Sequence, residues 1–127
     1  MTADEVLSRY LDEELPDFID MPALTVNQRG RFDSYPLNVA CARARPDEVA
    51  ALLAGGANVD AVGELGNQAI CEAIGAGNAS IVQMLIDAGA RLDGINEFGQ
   101  SPIDLAEAST DPNIKRMVLS ARSGGSS

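Results

Sequence analysis

Apolar residues recur along the middle of the chain at spacings of three and four positions. Between residues 68 and 77 they fall at Ile70, Ala73 and Ile74. The next apolar stripe consists of Ile81, Val82, Leu85 and Ile86. Such spacing places the apolar side chains on one face of a helix. The pattern therefore predicts two short amphipathic helices, one directly after the other.

Residues that begin or end helices lie between the apolar stripes. Gly77 predicts the end of the first helix, because glycine readily takes the left-handed conformation that closes helices. Asn78 follows as the predicted N-cap of the second helix. Further along, Ser101-Pro102 and Asp111-Pro112 each place a capping residue before a proline at the first helical position. The chain thus predicts pairs of short helices joined by tight turns.

The same pattern returns with a period of 33 residues. Residues 49–60 (VAALLAGGANVD) align with residues 82–93 (VQMLIDAGARLD). Three further columns at this period are Ala40, Ala73 and Ala106; Leu37, Ile70 and Ile103; and Phe32, Leu65 and Phe98. A fixed period indicates stacked units that bury a shared apolar face. We expect an all-α solenoid of about three helix-turn-helix units, each followed by a short finger.

Residues 1–23 lie outside the period and form a separate acidic segment. Thr2 and Glu5 form a predicted capping box, and the apolar stripe behind them predicts a helix that caps the first unit. The segment holds seven acidic residues and a single basic one, Arg9. Two interpretations stay open, a solubilising cap and an acidic docking surface. We expect three parts: a capping helix segment over 1–23, a repeat domain over 24–122 and a flexible tail over 123–127.

Composition and charge narrow the classes of partner. A chain of 127 residues has room for one domain. Its net charge of −10 argues against nucleic acid and favours either solubility or a basic protein partner reached by electrostatic steering. No apolar run approaches the roughly 18 residues of a membrane span, and the acidic N-terminus is unlike a signal peptide. We therefore expect a cytoplasmic protein that contacts neither nucleic acid nor membrane.

The residue types present disfavour catalysis. The chain contains no histidine, which excludes Ser-His-Asp and Cys-His nucleophilic sites and His-based zinc sites. Cys41 and Cys71 fit no metal-ligand spacing and are expected to be buried, reduced thiols. A carboxylate pair would still support acid–base chemistry, but the acidic residues are dispersed along the chain. We expect no catalytic residue, no metal site and no cofactor.

The repeat resembles the ankyrin repeat. Its T-P-L-H-x-A start is similar to Tyr35–Ala40, Gln68–Ala73 and Ser101–Ala106, and its V-x-x-L-L-x-x-G-A-x-V-N end is similar to residues 49–60 and 82–93. The likeness covers roughly residues 24–121. It implies an ankyrin-repeat solenoid, which binds other proteins through its finger tips and the exposed sides of its first helices.

Several positions depart from the family's pattern. The family's His is replaced by Asn38, Cys71 and Asp104 in the three units. The hydrogen bonds that this His makes between units are therefore missing or remade. Ala44 and Thr110 stand where the family has the glycine that ends the first helix of a unit.

The resemblance also implies which residues face a partner. Carried onto this chain, the candidate partner-binding residues are Arg31, Phe32, Arg43, Glu64, Leu65, Asn67, Glu72, Glu97, Phe98 and Gln100. Within this set, Phe32, Leu65 and Phe98 form one apolar column at the finger tips. Two interpretations of the column stay open: binding anchors for a partner, or side chains that stack on one another and hold the fingers in register.

A narrower likeness bears on function. Residues 30–32 (GRF), 63–67 (GELGN), 72–74 (EAI) and 96–102 (NEFGQSP) resemble small stand-alone bacterial ankyrin proteins of the immunity type. That likeness implies a monomer that neutralises a cognate, basic toxin domain by covering it in a 1:1 complex. The alternative is a generic adaptor or regulatory subunit that binds another cytosolic protein, because a fold does not determine its function.

Overall fold

The computed structural model describes residues 1–13, 15, 18, 24–30 and 34–124. Across these residues the secondary structure consists of helices and turns, with one isolated antiparallel bridge between Val62 and Gln68. The helices are α1 (Ala3–Asp12), α2 (Pro36–Ala42), α3 (Pro46–Ala54), α4 (Ala69–Ala76), α5 (Ala79–Asp87), α6 (Pro102–Glu107) and α7 (Pro112–Gly124). The predicted all-α class is confirmed.

The helices pack as three consecutive pairs in two layers. Within each pair, α2 contacts α3, α4 contacts α5, and α6 contacts α7. The first helices form one layer, in which α4 packs between α2 and α6. The second helices form the other layer, in which α5 packs between α3 and α7. Helix α1 packs on α3 and so lies at the N-terminal end of this second layer.

The core follows the columns of the repeat. Ala40, Ala73 and Ala106 are completely buried, and these small side chains let the helices of the first layer approach closely. The second layer contributes its own column, Leu52, Leu85 and Val118, also fully buried. Each helix pair therefore buries its apolar face against the next pair along the chain.

Polar side chains form hydrogen bonds between successive units at equivalent positions of the repeat. Asn27 accepts a hydrogen bond from the Asn58 N–H at 2.8 Å, and Asp60 accepts one from the Arg91 N–H at 2.9 Å. Both pairs span 31 residues, and they lie one 33-residue period apart. In the first unit, Asn38 donates its Nδ2 hydrogens to the carbonyls of Asn67 (3.2 Å) and Ala61 (3.5 Å). The Asn38 side chain thus links the first unit to the second.

The first helices of the units end in different ways. In α4 the chain turns at Gly77, whose φ is +72°, and Ala44 takes the equivalent left-handed conformation after α2 with a φ of 55°. The Asn78 N–H then bonds to the Ala73 carbonyl, and the first unit has the matching bond. Thr110, at the third such position, does not adopt the left-handed conformation.

We expect Ala44→Gly to raise the free energy of unfolding by about 1 kcal/mol. The Cβ atom makes the left-handed conformation unfavourable, and glycine removes that strain. The reciprocal change, Gly77→Ala, is expected to cost about 1 kcal/mol, because a Cβ at Gly77 meets nothing within 4 Å and adds only backbone strain. Urea denaturation of both variants measures the two effects. Equal signs for the two substitutions would contradict this explanation.

The N-terminal helix begins as its sequence predicts and ends at Asp12. The Thr2 hydroxyl accepts a hydrogen bond from the Glu5 N–H at 3.2 Å, which caps α1. Val6, Leu7 and Tyr10 form its buried face. On the opposite side, the carboxylates of the described acidic residues Asp4, Glu5, Asp12 and Glu13 are exposed. Helix α1 therefore packs as a cap on α3, with exposed acidic residues on its other side.

A buried carboxylate attaches α1 to the helix pairs. Glu48 of α3 is fully buried, although the equivalent positions in the next two units hold the buried Ile81 and Ile114. The Tyr10 hydroxyl donates a hydrogen bond to Glu48 Oε1 at 2.7 Å, and Arg9 Nη1 lies 2.9 Å from Glu48 Oε2. Burial and the bond to Glu48 raise the pKa of Tyr10 well above its usual value. Glu48 therefore occupies a position of an otherwise apolar column because Tyr10 and Arg9 of α1 bond to its carboxylate.

Candidate protein-binding surface

Two fingers connect the helix pairs and a third precedes the first pair, and each contains the same closing hydrogen bond. The N–H of Gly30 bonds to the carbonyl of Ser34 at 2.6 Å, and that of Gly63 bonds to the carbonyl of Asn67 at 2.8 Å. In the third finger the N–H of Asn96 bonds to the carbonyl of Gln100 at 2.9 Å. The closing hydrogen bond of the fingers therefore recurs at the 33-residue period of the helices.

Backbone contacts hold the second and third fingers together. The Glu97 N–H donates to the Leu65 carbonyl at 3.0 Å, and Asn96 Nδ2 donates to Asn67 Oδ1 at 3.0 Å. Gly66 permits this approach, because a Cβ there would lie 3.1 Å from the Glu97 nitrogen. Main-chain and amide hydrogen bonds therefore contribute to the register between these two fingers.

Apolar side chains are exposed at two equivalent positions of these fingers. Besides Met1, the exposed large apolar residues in the described ranges are Val62, Leu65, Ile95 and Phe98, which we call the finger patch. Their exposed fractions run from 45% for Leu65 to 68% for Ile95. Exposed apolar groups of this kind, bordered by polar residues, mark interaction sites. The sequence analysis selected Leu65 and Phe98 but missed Val62 and Ile95. These two aliphatic residues occupy the same position of successive repeats, and that recurrence could have identified them.

A cleft of about 400 Å³ lies between the fingers and the first helices. We call it the finger–helix cleft. It brings together four of the predicted residues, Asn67, Glu72, Phe98 and Gln100. The rest of its lining is formed by Ala42, Cys71, Gly75, Ala76, Asn96 and Leu105. Part of the surface implied by the resemblance thus lines one concavity, to which small residues also contribute.

The remaining predicted residues lie around the cleft or outside the described ranges. Glu97 is exposed beside Leu65 at the finger tips. Arg43 lies towards α1, where Nη2 pairs with Glu13 Oε2 at 3.1 Å and the guanidinium lies 5.5 Å from the Tyr10 ring centroid. Arg31 and Phe32 lie outside the described residues, and so does the side chain of Glu64, whose backbone belongs to a 3₁₀ turn over Glu64–Gly66.

The two thiols are poor candidates for nucleophilic chemistry. Both Cys41 and Cys71 are buried and free. Burial, with a contribution from the nearby charge of Glu72, raises the pKa of Cys41 to about 12. The pKa of Cys71 is raised by the same two causes. A thiol with a raised pKa stays protonated near neutral pH and is therefore a weak nucleophile.

Two other classes of site were sought in the described part of the chain. No group of three or more His, Cys, Asp or Glu side chains is arranged there to hold a metal ion. None of the helices there has the length and apolar character that crossing a membrane requires.

Two comparisons with known proteins find no relative of this chain. A scan against models of protein families finds no match to this chain, and a search of curated proteins finds no significant similarity.

Proposed function

We propose that this chain is a protein-binding module with the architecture of an ankyrin-repeat solenoid. Three helix pairs stack in two layers, and the fingers close with equivalent hydrogen bonds. The bonds made by Asn27 and Asp60 link successive units at one repeat position. This repetition of contacts, rather than of residue types alone, supports the ankyrin-like arrangement.

The finger patch is the observation that carries the binding function. It exposes Phe98 and Ile95 by about two-thirds of their surface, on turns whose backbone is held by hydrogen bonds. A rigid turn loses little entropy when a partner covers it, and aromatic anchors contribute strongly to binding. A partner that covers the finger patch would also cover the finger–helix cleft beside it.

The negative charge of the chain favours a basic partner. The chain carries a net charge of −10, with Glu72 in the cleft and Glu97 at the finger tips. We propose that the protein acts in the cytoplasm as an immunity protein, a monomer that covers a cognate basic toxin domain in a 1:1 complex. In this mechanism the acidic surface speeds the encounter, and the finger patch anchors the complex.

Co-purification from the native host, followed by mixing with the recovered partner, tests this function. We expect a basic toxin domain whose activity falls to background at a 1:1 ratio. Recovery of an enzyme or signalling protein whose activity persists in the complex would instead establish the adaptor alternative. Failure to recover any stoichiometric protein partner would reject a protein-binding function altogether.

The association rate is expected to depend on salt. Between about 50 and 500 mM salt we expect the rate constant to fall about tenfold or more, because screening shortens the range of attraction between opposite charges. Stopped-flow mixing with the recovered partner measures this rate. Double replacement of the exposed Asp4 and Asp12 by asparagine is expected to flatten the dependence. A rate that is constant across the salt range would remove charge steering from the mechanism.

A further inference from the structure

The second finger shows what the outer side of a finger binds. Within this turn, the Gly66 N–H donates to the Gly63 carbonyl at 3.1 Å. Because the N–H and C=O of a trans peptide point in opposite directions, the Leu65 carbonyl faces away from its own turn. There it accepts the Glu97 N–H of the third finger at 3.0 Å. A main-chain carbonyl on the outside of one finger therefore binds the main chain of the next.

The third finger presents the equivalent carbonyl on its outer side. Its Gly99 N–H donates to the Asn96 carbonyl at 3.0 Å, one period after the bond in the second finger. Leu65 takes a left-handed φ of 60° and Phe98 does not, but the shared bond directs the Phe98 carbonyl outwards as well. In the described part of the chain, no main-chain N–H bonds to the Phe98 carbonyl.

A side-chain acceptor recurs beside this carbonyl. On the second finger, Asn67 Oδ1 accepts a hydrogen bond from Asn96 Nδ2 at 3.0 Å. Gln100 takes the place of Asn67 one period later, and its exposed side chain ends in the same amide group. The amide oxygen is a hydrogen-bond acceptor. The third finger thus repeats both acceptors, main-chain and side-chain, through which the second finger holds its neighbour.

The space over these acceptors is open. A Cβ built on Gly66 would lie 3.1 Å from the Glu97 nitrogen, because the third finger packs closely against that glycine. Gly99 occupies the same repeat position with the same φ of +74°, and a Cβ built there meets no heavy atom of the described residues within 4 Å. Another turn can therefore approach the third finger as closely as the third finger approaches the second.

We propose that the third-finger edge, formed by Phe98, Gly99 and Gln100, binds a tight turn of the partner protein. A main-chain N–H of that turn bonds to the Phe98 carbonyl, and a side-chain amide of the turn bonds to Gln100 Oε1. Main-chain pairing at an open edge is a recurring mode of protein recognition. The inference rests on the proposed protein-binding function, since the partner supplies the turn.

A second copy of this chain fits the third-finger edge less well than a partner does. The donors of its own third finger, the Glu97 N–H and Asn96 Nδ2, are already bonded to its second finger. Its first and second fingers have Gly30 and Gly63 at the position of Asn96, and glycine carries no side-chain amide. We therefore assign the turn to another protein.

A cyclic peptide tests the third-finger edge without any partner. The probe carries residues 95–100 (INEFGQ), the turn that binds the second finger, closed by a disulfide between two added terminal cysteines. In the isotope-labelled protein, we expect it to shift the backbone NMR signals of Phe98, Gly99 and Gln100 and to leave that of Gly66 unchanged.

Two control peptides each lack one donor. The first has a methyl group on the main-chain nitrogen of its glutamate. The second has aspartate in place of its asparagine, which keeps the acceptor oxygens of that side chain and removes the N–H groups. Each should bind about fivefold more weakly than the parent peptide, because each loses one hydrogen bond to the third-finger edge.

Two matched substitutions separate the third-finger edge from backbone strain. Gly99→Asn places a side chain over the edge, and asparagine tolerates the left-handed conformation of this glycine. Gly77→Asn makes the same change at a φ of +72° at the end of α4, where a Cβ also meets nothing within 4 Å. Gly99→Asn should lower the affinities for the peptide and for the recovered partner about tenfold, whereas Gly77→Asn should change neither. Circular dichroism checks that both variants keep the fold.

Several results would overturn the assignment. Absence of shifts at the third-finger edge, equal binding of either control peptide, or unchanged peptide affinity in Gly99→Asn would each do so. Edge signals that move with protein concentration in the absence of peptide would assign the edge to a second copy and overturn it too. A recovered partner whose affinity survives Gly99→Asn would refute only this inference. Failure to recover any protein partner would refute only the proposed function, because the peptide tests the edge directly.

Discussion

Replacing Glu48 with alanine is expected to lower the free energy of unfolding by about 3 kcal/mol. The substitution leaves a cavity in a fully buried position and deprives the buried Tyr10 hydroxyl of its acceptor, 2.7 Å away. It also removes the partner of Arg9, the contact that ties α1 to α3. Thermal and urea denaturation measure the loss. Hydrogen exchange at the backbone amides of Val6 and Leu7 is expected to accelerate, because α1 detaches more often.

A double-mutant cycle separates the hydrogen bond from the cavity. Tyr10→Phe removes only the hydroxyl and should cost about 1–2 kcal/mol, since Glu48 stays buried with one bond fewer. The two substitutions are expected to couple by about 1 kcal/mol, whereas an exposed control, Glu107→Ala, should change stability by less than about 0.5 kcal/mol. If Glu48→Ala cost no more than the Glu107 control, the carboxylate would have no role in attaching α1.

Replacing Phe98 with alanine is expected to weaken partner binding by about 2 kcal/mol, or roughly 30-fold. The ring is two-thirds exposed in the free protein, so its loss removes contact with the partner and little packing within the chain. We expect the melting temperature to change by less than about 2 °C. Leu65→Ala, at 45% exposure, should act in the same direction with a smaller effect. Isothermal titration calorimetry with the recovered partner measures both affinities.

The matched control for the finger patch is Ser80→Ala, an exposed position at the start of α5 and away from the fingers. It should change neither affinity nor melting temperature. Phe32→Ala extends the test to the first finger, where we predict a loss of affinity greater than the loss of stability. A lower melting temperature with unchanged affinity for Phe98→Ala would mean that the apolar column serves only to stabilise the fingers.

The candidate surface was only partly accessible to sequence reasoning. The resemblance to the ankyrin repeat selected Asn67, Glu72, Phe98 and Gln100, of which Asn67 and Gln100 occupy equivalent positions one period apart, and these residues line one cleft. The same reasoning assigned Arg43 to the partner face, while in the fold its guanidinium pairs with Glu13 at 3.1 Å. That ion pair joins the N-terminal segment to the repeats. Because the N-terminal segment does not follow the 33-residue period, the repeat pattern does not predict the pair.

The sequence by itself predicted the helix pairs and several of their limits, although α7 runs to Gly124, inside the segment expected to be a flexible tail. Apolar spacing, capping residues and glycines act within a few positions of one another, so Gly77 and Asn78 report the turn between α4 and α5 directly. The fold class followed because each helix carries one apolar stripe that must be covered by a neighbour.

Only the tertiary structure decided how α1 attaches and which apolar residues stay exposed. Glu48 occupies a core column in which the other units hold Ile81 and Ile114, and it is tolerated there because Arg9, 39 positions earlier, lies 2.9 Å away. Val62 and Ile95 are as apolar as core residues, yet they remain exposed in fingers that are joined by hydrogen bonds of the main chain and of the Asn67 and Asn96 amides. The burial of Glu48 and the exposure of Val62 and Ile95 depend on contacts between segments that are far apart in the sequence. The spacing of neighbouring residues does not predict such contacts.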